Sequence, residues 1–389
     1  MIKRLVDAWV RQRFDVDKMR GPVEKQLKKP LPHNVGWFHT LGSMSLFLFL
    51  SQVVTGILLL VYYRPTVNEA FESVKFIMTK PYMGWLYRQV HAWGANLMVI
   101  VVFLHMLRTY ITGSYKKPRE VTWIFGVFLF IFTMIFGFTG YLLPWNQLAY
   151  WATTVGTEVA GSVPIVGEWI RTLMRGGPSV GSETLSRFFV IHVIILPWLL
   201  VLLVLIHLFL VRLQGVATME RVDEEKEVDK AHGTPFFPTH VLKEGIVFYI
   251  LLGILITLAI LAPFDLGEKA DPLTTPHAIK PEWYFLPFYQ VLKYFPKLAG
   301  IFVVTLAPIF LFLWPFLDRN KERDPRKRPF AVGFCILVLL SLFIFGVVGY
   351  LSETERQLFG KTYYFDVYGL PHAGTAAEHM AKLTDAEVK

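Results

Sequence analysis

The sequence predicts an all-α polytopic membrane protein with seven transmembrane helices. Its 389 residues are 54% hydrophobic and 15% aromatic, a composition too apolar for a soluble protein of this length. Seven apolar runs of about 20 residues each match the thickness of a lipid bilayer. Lys and Arg are concentrated in alternate connections between these runs, the charge asymmetry that orients helices in membranes.

The seven runs define the predicted spans and divide the chain into five regions. The spans are 41–62, 88–112, 121–143, 189–212, 244–262, 299–316 and 330–350. The regions are an N-terminal arm (1–40), a four-helix domain (41–214), a charged linker (215–243), a three-helix domain (244–351) and a polar tail (352–389). We expect the last part of the tail, 372–389, to be disordered.

Charge counting predicts which side of the membrane each connection faces. If the N-terminus is cytoplasmic, the inner segments hold 24 of the 39 Lys and Arg, including the short basic loop DRNKERDPRKRPF. We therefore expect a cytoplasmic arm and linker, an outer tail and a bacterial cytoplasmic membrane. These basic inner loops explain the net charge of +9, so a nucleic-acid partner is not expected. No apolar run with a small-residue cleavage site begins the chain, so no signal peptide is expected.

Four histidines lie inside two of the spans. His91 and His105 are fourteen residues apart in the second span, and His192 and His207 are fifteen apart in the fourth. At 3.6 residues per turn each pair shares one helix face, with about 21–22 Å between its members. Both spans run from outside to inside, so the sequence predicts two histidine pairs, one at each depth.

Several chemistries can use a histidine inside a membrane. A single one is most often a hydrogen-bonded packing residue or part of a proton relay, but four at matched depths indicate function. A zinc site would need a nearby carboxylate or thiolate to complete it, and the one cysteine, Cys335, excludes disulfides and Cys-pair sites. Two stacked, non-covalent, bis-histidine b haems fit the spacing best, with the first four helices bundled around them.

Glycines and arginines accompany the histidines. The first and third spans each carry two glycines fourteen residues apart, the same period as the second span. Glycine lets a backbone approach a flat ring, and arginine at a helix end can pair with a propionate; the alternatives are small-residue helix packing and snorkelling. The candidates are Gly42, Gly56, Gly126, Gly140, Arg88, Arg108 and Arg187.

These residues, with GYLLPWNQLAYW (140–151) and PEWYFLPFYQVL (281–292), resemble cytochrome b of the quinol-oxidising cytochrome bc complexes over about residues 30–350. The resemblance implies a quinol:cytochrome c-type oxidoreductase. It implies quinol oxidation on the outer side, transfer of one electron through two b haems to an inner quinone site, and coupled proton translocation. A Rieske iron–sulfur protein, a c-type cytochrome subunit and a second copy of the complex are the implied partners.

The resemblance also implies an outer quinol site. In it Glu282 accepts a quinol proton, Tyr284 and Tyr141 line the pocket, and Pro281 shapes the turn. A carboxylate at a membrane surface can take a proton and release it to water. Without the PEWY context, Glu282 would be a solvated interfacial glutamate and the tyrosines members of an aromatic belt. Arg212 and the arm lie near the inner quinone site, but the sequence assigns no residue to it.

One branch of the family is the most similar. The fifteen-residue spacing, YYRPTV (62–67), KKPRE (116–120), GEKADPLTTP (267–276) and the seven-helix count resemble the chloroplast-type complex, with its two cytochrome b subunits fused here. That branch attaches a third haem through a cysteine, and Thr40 stands at that position. We therefore expect no covalent haem c. Cys335 is not expected to attach one, and the adjacent His39 cannot form a thioether.

Two other function classes stay open on sequence alone. The first is a haem-b membrane anchor of a dehydrogenase or hydrogenase, which would lack an outer PEWY quinol site. The second is a transporter that uses histidines as proton carriers. A reduced haem spectrum separates the transporter from the other two, and inhibition by outer-site quinol analogues separates the cytochrome b from the anchor.

Overall fold

The computed structural model describes residues 2–28, 30–32, 34–224, 234–276 and 278–387, and within them helices dominate. In chain order the helices are α1 (Ile2–Arg13), α2 (Val16–Leu27), α3 (Leu41–Leu60), α4 (Ala70–Thr79), α5 (Gly84–Ile111), α6 (Glu120–Leu142), α7 (Gln147–Gly161), α8 (Gly167–Arg175), α9 (Ser182–Val190), α10 (Leu196–Gln214), α11 (Val241–Leu261), α12 (Leu286–Lys293), α13 (Lys297–Leu317), α14 (Pro329–Leu351) and α15 (Ala376–Glu387).

Seven stretches of the described chain are long and apolar enough to cross a membrane, as predicted. Six are α3, α5, α6, α11, α13 and α14, some with a short helical lead-in. The seventh is the continuous helix of residues 182–214, in which a π-helical turn, Ile191–Ile195, joins α9 to α10. The predicted boundaries differ by up to eight residues, because the ends of the spans carry polar turns that the apolar runs do not include.

The first four spans pack as one unit and the last three attach along its side. Helix α3 packs along α5, α6 contacts both α5 and α10, α11 lies against α5 and α3, and α13 lies against α6. Large apolar residues fill the centre between α3, α5, α10 and α11, including Leu48, Met98, Leu200 and Leu255. This packing places the face of α5 that carries His91 and His105 towards the helix of residues 182–214.

Buried charges join the two units at the predicted inner end. Asp318, next to the end of α13, accepts hydrogen bonds from Tyr115 and from Arg328 and forms an ion pair with Lys116. Its Oδ2 lies 3.0 Å from both the Lys116 Nζ and an Arg328 Nη atom, and the Asp318 side chain is only 8% exposed. The connection after α5 is thereby fixed to the connection after α13.

Residues 215–224 and 234–243 of the predicted linker are described in the structure. Residues 225–233 of the 215–243 segment lie outside the described residues. Immediately after them β2 (Thr234–Pro235) pairs antiparallel with β1 (Pro30–Leu31), so the N-terminal arm and the end of the linker meet.

The tail carries structure that the sequence analysis did not predict. A three-stranded antiparallel sheet of β3 (Thr354–Leu358), β4 (Lys361–Phe365) and β5 (Pro371–Ala373) is followed by α15, so the predicted disorder of 372–389 is wrong for residues up to 387. The tail rests on α12 and the turn after it. The Lys293 Nζ lies 2.7 Å from the Glu353 carboxylate, and the Tyr294 hydroxyl donates a hydrogen bond of 2.5 Å to the Tyr368 carbonyl.

Candidate functional site

The structure brings the four membrane histidines together in the two predicted pairs. The rings of His91 and His192 have centroids 6.5 Å apart and planes inclined at 70°. His105 and His207 lie within electrostatic range of each other at the inner depth. Each pair has one ring from α5 and one from the helix of residues 182–214.

The π-helical turn accounts for the unequal spacing of the two pairs. His192 lies in that turn, whereas α5 is regular between His91 and His105. A π turn accommodates about one residue more than an α turn. The π turn accommodates the additional residue between His192 and His207. A spacing of fifteen residues therefore brings His207 back to the helix face that carries His192. Pro197 follows this turn, and its missing N–H is compatible with the interrupted hydrogen-bond pattern.

Each of the four candidate glycines faces one of the four histidines. A Cβ at Gly42 would lie 3.2 Å from the His105 ring, and one at Gly140 would lie 2.5 Å from His192. The other two contacts are looser: a Cβ at Gly56 would lie 3.5 Å from the His91 ring, and a Cβ at Gly126 would lie 3.6 Å from the His207 ring. The glycines therefore let the imidazoles lie directly against the backbones of α3 and α6, a contact that the sequence analysis assigned to a flat cofactor ring.

The two pairs differ in the partners of their Nδ1 atoms. Thr55 Oγ1 lies 2.9 Å from His91 Nδ1, and Thr139 Oγ1 lies 3.0 Å from His192 Nδ1. In the described part of the chain, Nδ1 of His105 and Nδ1 of His207 are buried without a hydrogen-bond partner. The Thr122 carbonyl lies within hydrogen-bonding range of the His207 ring.

The separation of the outer rings is compatible with two imidazoles that share one metal ion. Imidazole nitrogens bind a transition metal at about 2 Å, so two rings on opposite sides of one ion have centroids about 6–6.5 Å apart. The observed 6.5 Å agrees with that value. Within the described residues no three His, Cys, Asp or Glu side chains are grouped so that they could hold a metal ion. Two ligands per pair fit an iron whose remaining ligands come from a haem macrocycle.

The three candidate arginines have different partners. Arg88 donates to the Phe264 carbonyl over 2.6 Å, and Arg187 donates to the Leu173 carbonyl over 2.6 Å, so both guanidinium groups anchor neighbouring backbone. Arg108 contacts the His39 ring instead, and its Nε is buried with no hydrogen-bond partner among the described residues. Of the three, Arg108 retains a buried N–H group that a propionate can use.

The PEWY loop gathers the predicted quinol-site residues. Pro281 precedes a turn that leads into α12, and Glu282 in that turn is half-buried. Burial raises the pKa of the Glu282 carboxyl, and burial together with Glu282 raises the pKa of the Tyr284 phenol. Tyr141 lies within electrostatic range of both. A Cβ at Gly137 of α6 would lie 2.6 Å from the Tyr284 hydroxyl oxygen, so this tyrosine rests against the α6 backbone.

Several polar contacts around these sites were not predicted from the sequence. The Trp283 indole donates a hydrogen bond of 2.7 Å to Asn96 on α5, which fixes the PEWY loop to the histidine-bearing helix. Thr55 and Thr139 were also missed. A signal was present, because each precedes one of the paired glycines in the dipeptide Thr-Gly. For Asn96, an amide five residues after His91 gave no indication of its distant partner.

The inner end has fewer features that indicate a ligand. Arg212 lies over the Phe236 ring at 5.2 Å, and the His240 Nε2 lies 3.4 Å from the Glu244 carboxylate. His39, beside Thr40, accepts a hydrogen bond of 3.1 Å at Nδ1 from the Gly36 N–H. These contacts assign no residue to an inner quinone site.

Comparison with known proteins decides the family. A family model described as Cytochrome b/b6/petB matches residues 26–215, and one described as Cytochrome b(C-terminal)/b6/petD matches residues 269–366. The cytochrome bc complex cytochrome b subunit of Chlorobaculum thiosulfatiphilum is 43% identical over 349 residues, 87% of this chain and 79% of the relative. The chain belongs to the cytochrome b family of cytochrome bc complexes.

Further relatives agree with this assignment. Cytochrome b of Rickettsia prowazekii is 37% identical over 345 residues, which are 86% of this chain and 85% of that protein. A solved chain described as a hyperthermophilic respiratory Complex III superimposes with a TM-score of 0.82 at 33% identity and covers 89% of this chain and 92% of its own length. The chain is thus an integral membrane, haem-b-binding cytochrome b, the core subunit of a bc-type oxidoreductase.

Proposed function

We propose that this cytochrome b oxidises quinol at an outer site formed by Glu282, Tyr284, Tyr141 and Pro281, and that its complex reduces a c-type cytochrome. One observation carries the proposal. Tyr284 of the PEWY loop rests on α6 at Gly137, one helical turn from Gly140, against which His192 lies. A quinol bound at the loop would therefore be next to the outer histidine pair.

The proposed ligands are His91 and His192 for the outer haem and His105 and His207 for the inner haem. When bound, the two haems supply one-electron redox chemistry across the membrane, coupled to quinol oxidation and to quinone reduction at an inner site. Gly42, Gly56, Gly126 and Gly140 give the four ligand rings the space that they occupy. Arg108 is the arginine best suited to a propionate, because Arg88 and Arg187 already bind backbone carbonyls.

Glu282 is the proposed acceptor of the quinol proton. It is half-buried, and no cation of the described residues lies within ion-pair distance of it. Burial raises the pKa of its carboxyl, which makes it a better base than a solvated glutamate. Its position on a turn at the predicted outer surface lets the side chain pass the proton to water. Tyr141 and Tyr284 bound the pocket on the α6 side.

The remaining assignments of the proposal concern the assembly. A Rieske iron–sulfur protein and a c-type cytochrome subunit are the proposed redox partners, in a homodimeric complex of a bacterial cytoplasmic membrane with the N-terminal arm in the cytoplasm. Similarity to a respiratory Complex III supports these partners. The fifteen-residue histidine spacing and the seven spans support the proposal that this chain is most similar to the chloroplast-type branch of the family, with the two cytochrome b subunits of that branch fused into one chain. We propose no covalent haem, since Thr40 has no thiol.

The Glu282→Gln substitution in the intact complex tests the quinol site. It keeps the size of the side chain and removes the base, so we expect quinol oxidation to slow at least tenfold while both haem spectra are retained. Because the carboxyl must be ionised to accept a proton, wild-type turnover should fall as the pH drops through the raised pKa, and the variant should lack this acid limb.

Glu183→Gln is the matched control, because Glu183 is an exposed carboxylate on the same side at the start of α9. It should leave turnover and pH profile unchanged. Unchanged turnover of Glu282→Gln at every pH, or insensitivity of the complex to outer-site quinol analogues, would contradict the proposed site and favour a haem-b membrane anchor.

A further inference from the structure

Two threonines make matched contacts with the outer histidines. Thr55 on α3 and Thr139 on α6 approach Nδ1 of His91 and of His192 to 2.9 and 3.0 Å, respectively. Both threonines are buried, at 7% and 4% exposure, so water does not replace these contacts. They lie on opposite sides of the pair and on the two helices that carry the paired glycines.

The backbone determines the direction of both hydrogen bonds. A hydroxyl has a single proton, and Thr55 donates it to the Ser51 carbonyl over 2.7 Å. Thr139 likewise donates to the Ile135 carbonyl over 2.9 Å. Each hydroxyl therefore accepts from its histidine, so Nδ1 of both rings carries the proton and Nε2 carries the lone pair.

A second observation supports this protonation state for His192. The Phe136 carbonyl lies within hydrogen-bonding range of the His192 ring, and a carbonyl can only accept. The Phe136 carbonyl is thus a second acceptor near the His192 ring, whereas Thr55 is the one acceptor that the described residues place at His91 Nδ1. The inner rings differ from both, since Nδ1 of His105 and Nδ1 of His207 have no hydrogen bond in the described chain.

We propose that Thr55 and Thr139 are positioning residues that hold the outer histidines as Nδ1–H donors and lower the reduction potential of the outer haem relative to the inner one. The inference rests on the proposed bis-histidine ligation. An acceptor at Nδ1 makes the imidazole a stronger electron donor at Nε2, which favours the oxidised metal. The asymmetry thus contributes to electron transfer from the outer side to the inner side.

Potentiometric titration of Thr55→Val in the intact complex tests the proposal. Valine keeps the shape of threonine and removes the acceptor. We expect the outer haem to be retained. At a fixed potential, its ratio of reduced to oxidised form should rise about three- to tenfold, which corresponds to a midpoint potential raised by roughly 30–60 mV for a one-electron couple. The inner haem should not change. Thr139→Val should give a smaller shift, because the Phe136 carbonyl remains, and Thr55→Ser should restore the wild-type potential.

Thr133→Val is the matched control. Thr133 is a buried threonine of α6 whose hydroxyl, among the described residues, donates to the Leu129 carbonyl and contacts no histidine. An unchanged outer potential in Thr55→Val, an equal shift of the inner haem, or the same shift in Thr133→Val would overturn the inference.

The underlying ligation is tested separately in His91→Ala, which must lose the outer component. If His91→Ala loses that component while Thr55→Val leaves its potential unchanged, only the role of the threonines is wrong. If His91→Ala retains it, the ligation itself is wrong.

Discussion

The outer and inner histidine pairs derive from nearly the same sequence pattern but lie in different surroundings. At the outer depth both Nδ1 atoms are hydrogen bonded to threonines, and the PEWY loop is fixed to α5 through Asn96. At the inner depth Nδ1 of both rings has no hydrogen-bond partner among the described residues, and buried charges around Asp318 fix the neighbouring connections. Histidine spacing therefore determines where the two sites lie, and the neighbouring side chains determine how they differ.

The largest expected difference between the two sites comes from their glycines. Gly140→Ala would place a Cβ 2.5 Å from the His192 ring, closer than nonbonded atoms approach, so the His192 ring must leave its position against α6. Gly126→Ala would place a Cβ at 3.6 Å from His207, an ordinary van der Waals distance. We expect Gly140→Ala to lose the outer haem and Gly126→Ala to keep the inner one, as measured by reduced-minus-oxidised spectra. Equal haem loss in both variants would show that the two glycines do not differ in the space they leave for a ligand ring.

Asp318→Asn tests the charge network of the inner end. It removes the carboxylate that Lys116 and Arg328 share and leaves two buried cations without a counter-charge, at a cost of about 3–5 kcal/mol. Burial alone would raise the pKa of Asp318, but hydrogen bonds from Tyr115 and Lys116 hold it below its usual value. Its stabilisation is therefore present above the unfolded pKa of about 4 and is lost as the pH falls below that value.

Thermal unfolding of the detergent-solubilised complex measures this effect. The matched control is Asp223→Asn, an exposed carboxylate paired with Arg221 and Lys321, which should not lower the unfolding temperature comparably. A similar loss in both variants would show that burial of the Asp318 network contributes nothing.

Asn96→Ala should give a smaller effect, confined to the outer side. It removes the acceptor of the Trp283 N–H, a contact worth about 0.5–1.5 kcal/mol, so we expect quinol oxidation to slow about three- to tenfold with both haems intact. Trp283→Phe removes the same hydrogen bond from the other side. In steady-state kinetics the double variant should be no slower than the slower single variant; fully additive losses would show that the two residues act independently.

Sequence patterns predicted the spans because apolar runs of bilayer length leave few alternatives to membrane helices. They also predicted the histidine and glycine pairs, since helical periodicity fixes which residues share a face. The π turn at His192 was not predicted, because no residue type marks an extra residue within an apolar helix. The contacts of Thr55 and Asn96 were missed because each joins elements far apart in sequence. The tail sheet was missed because its strands are only three to five residues long, and the residues that fix it to α12, Glu353 and Val367, lie outside the strands.

The central claim is that two haems are each held by one histidine of α5 and one of the helix of residues 182–214. A redox titration of the intact complex, repeated for the four single His→Ala variants, tests it most directly. We predict two b-type components in the wild type, loss of the same component in His91→Ala and His192→Ala, and loss of the other in His105→Ala and His207→Ala. A single component in the wild type, or loss of the same component in His91→Ala and His105→Ala, would contradict the claim.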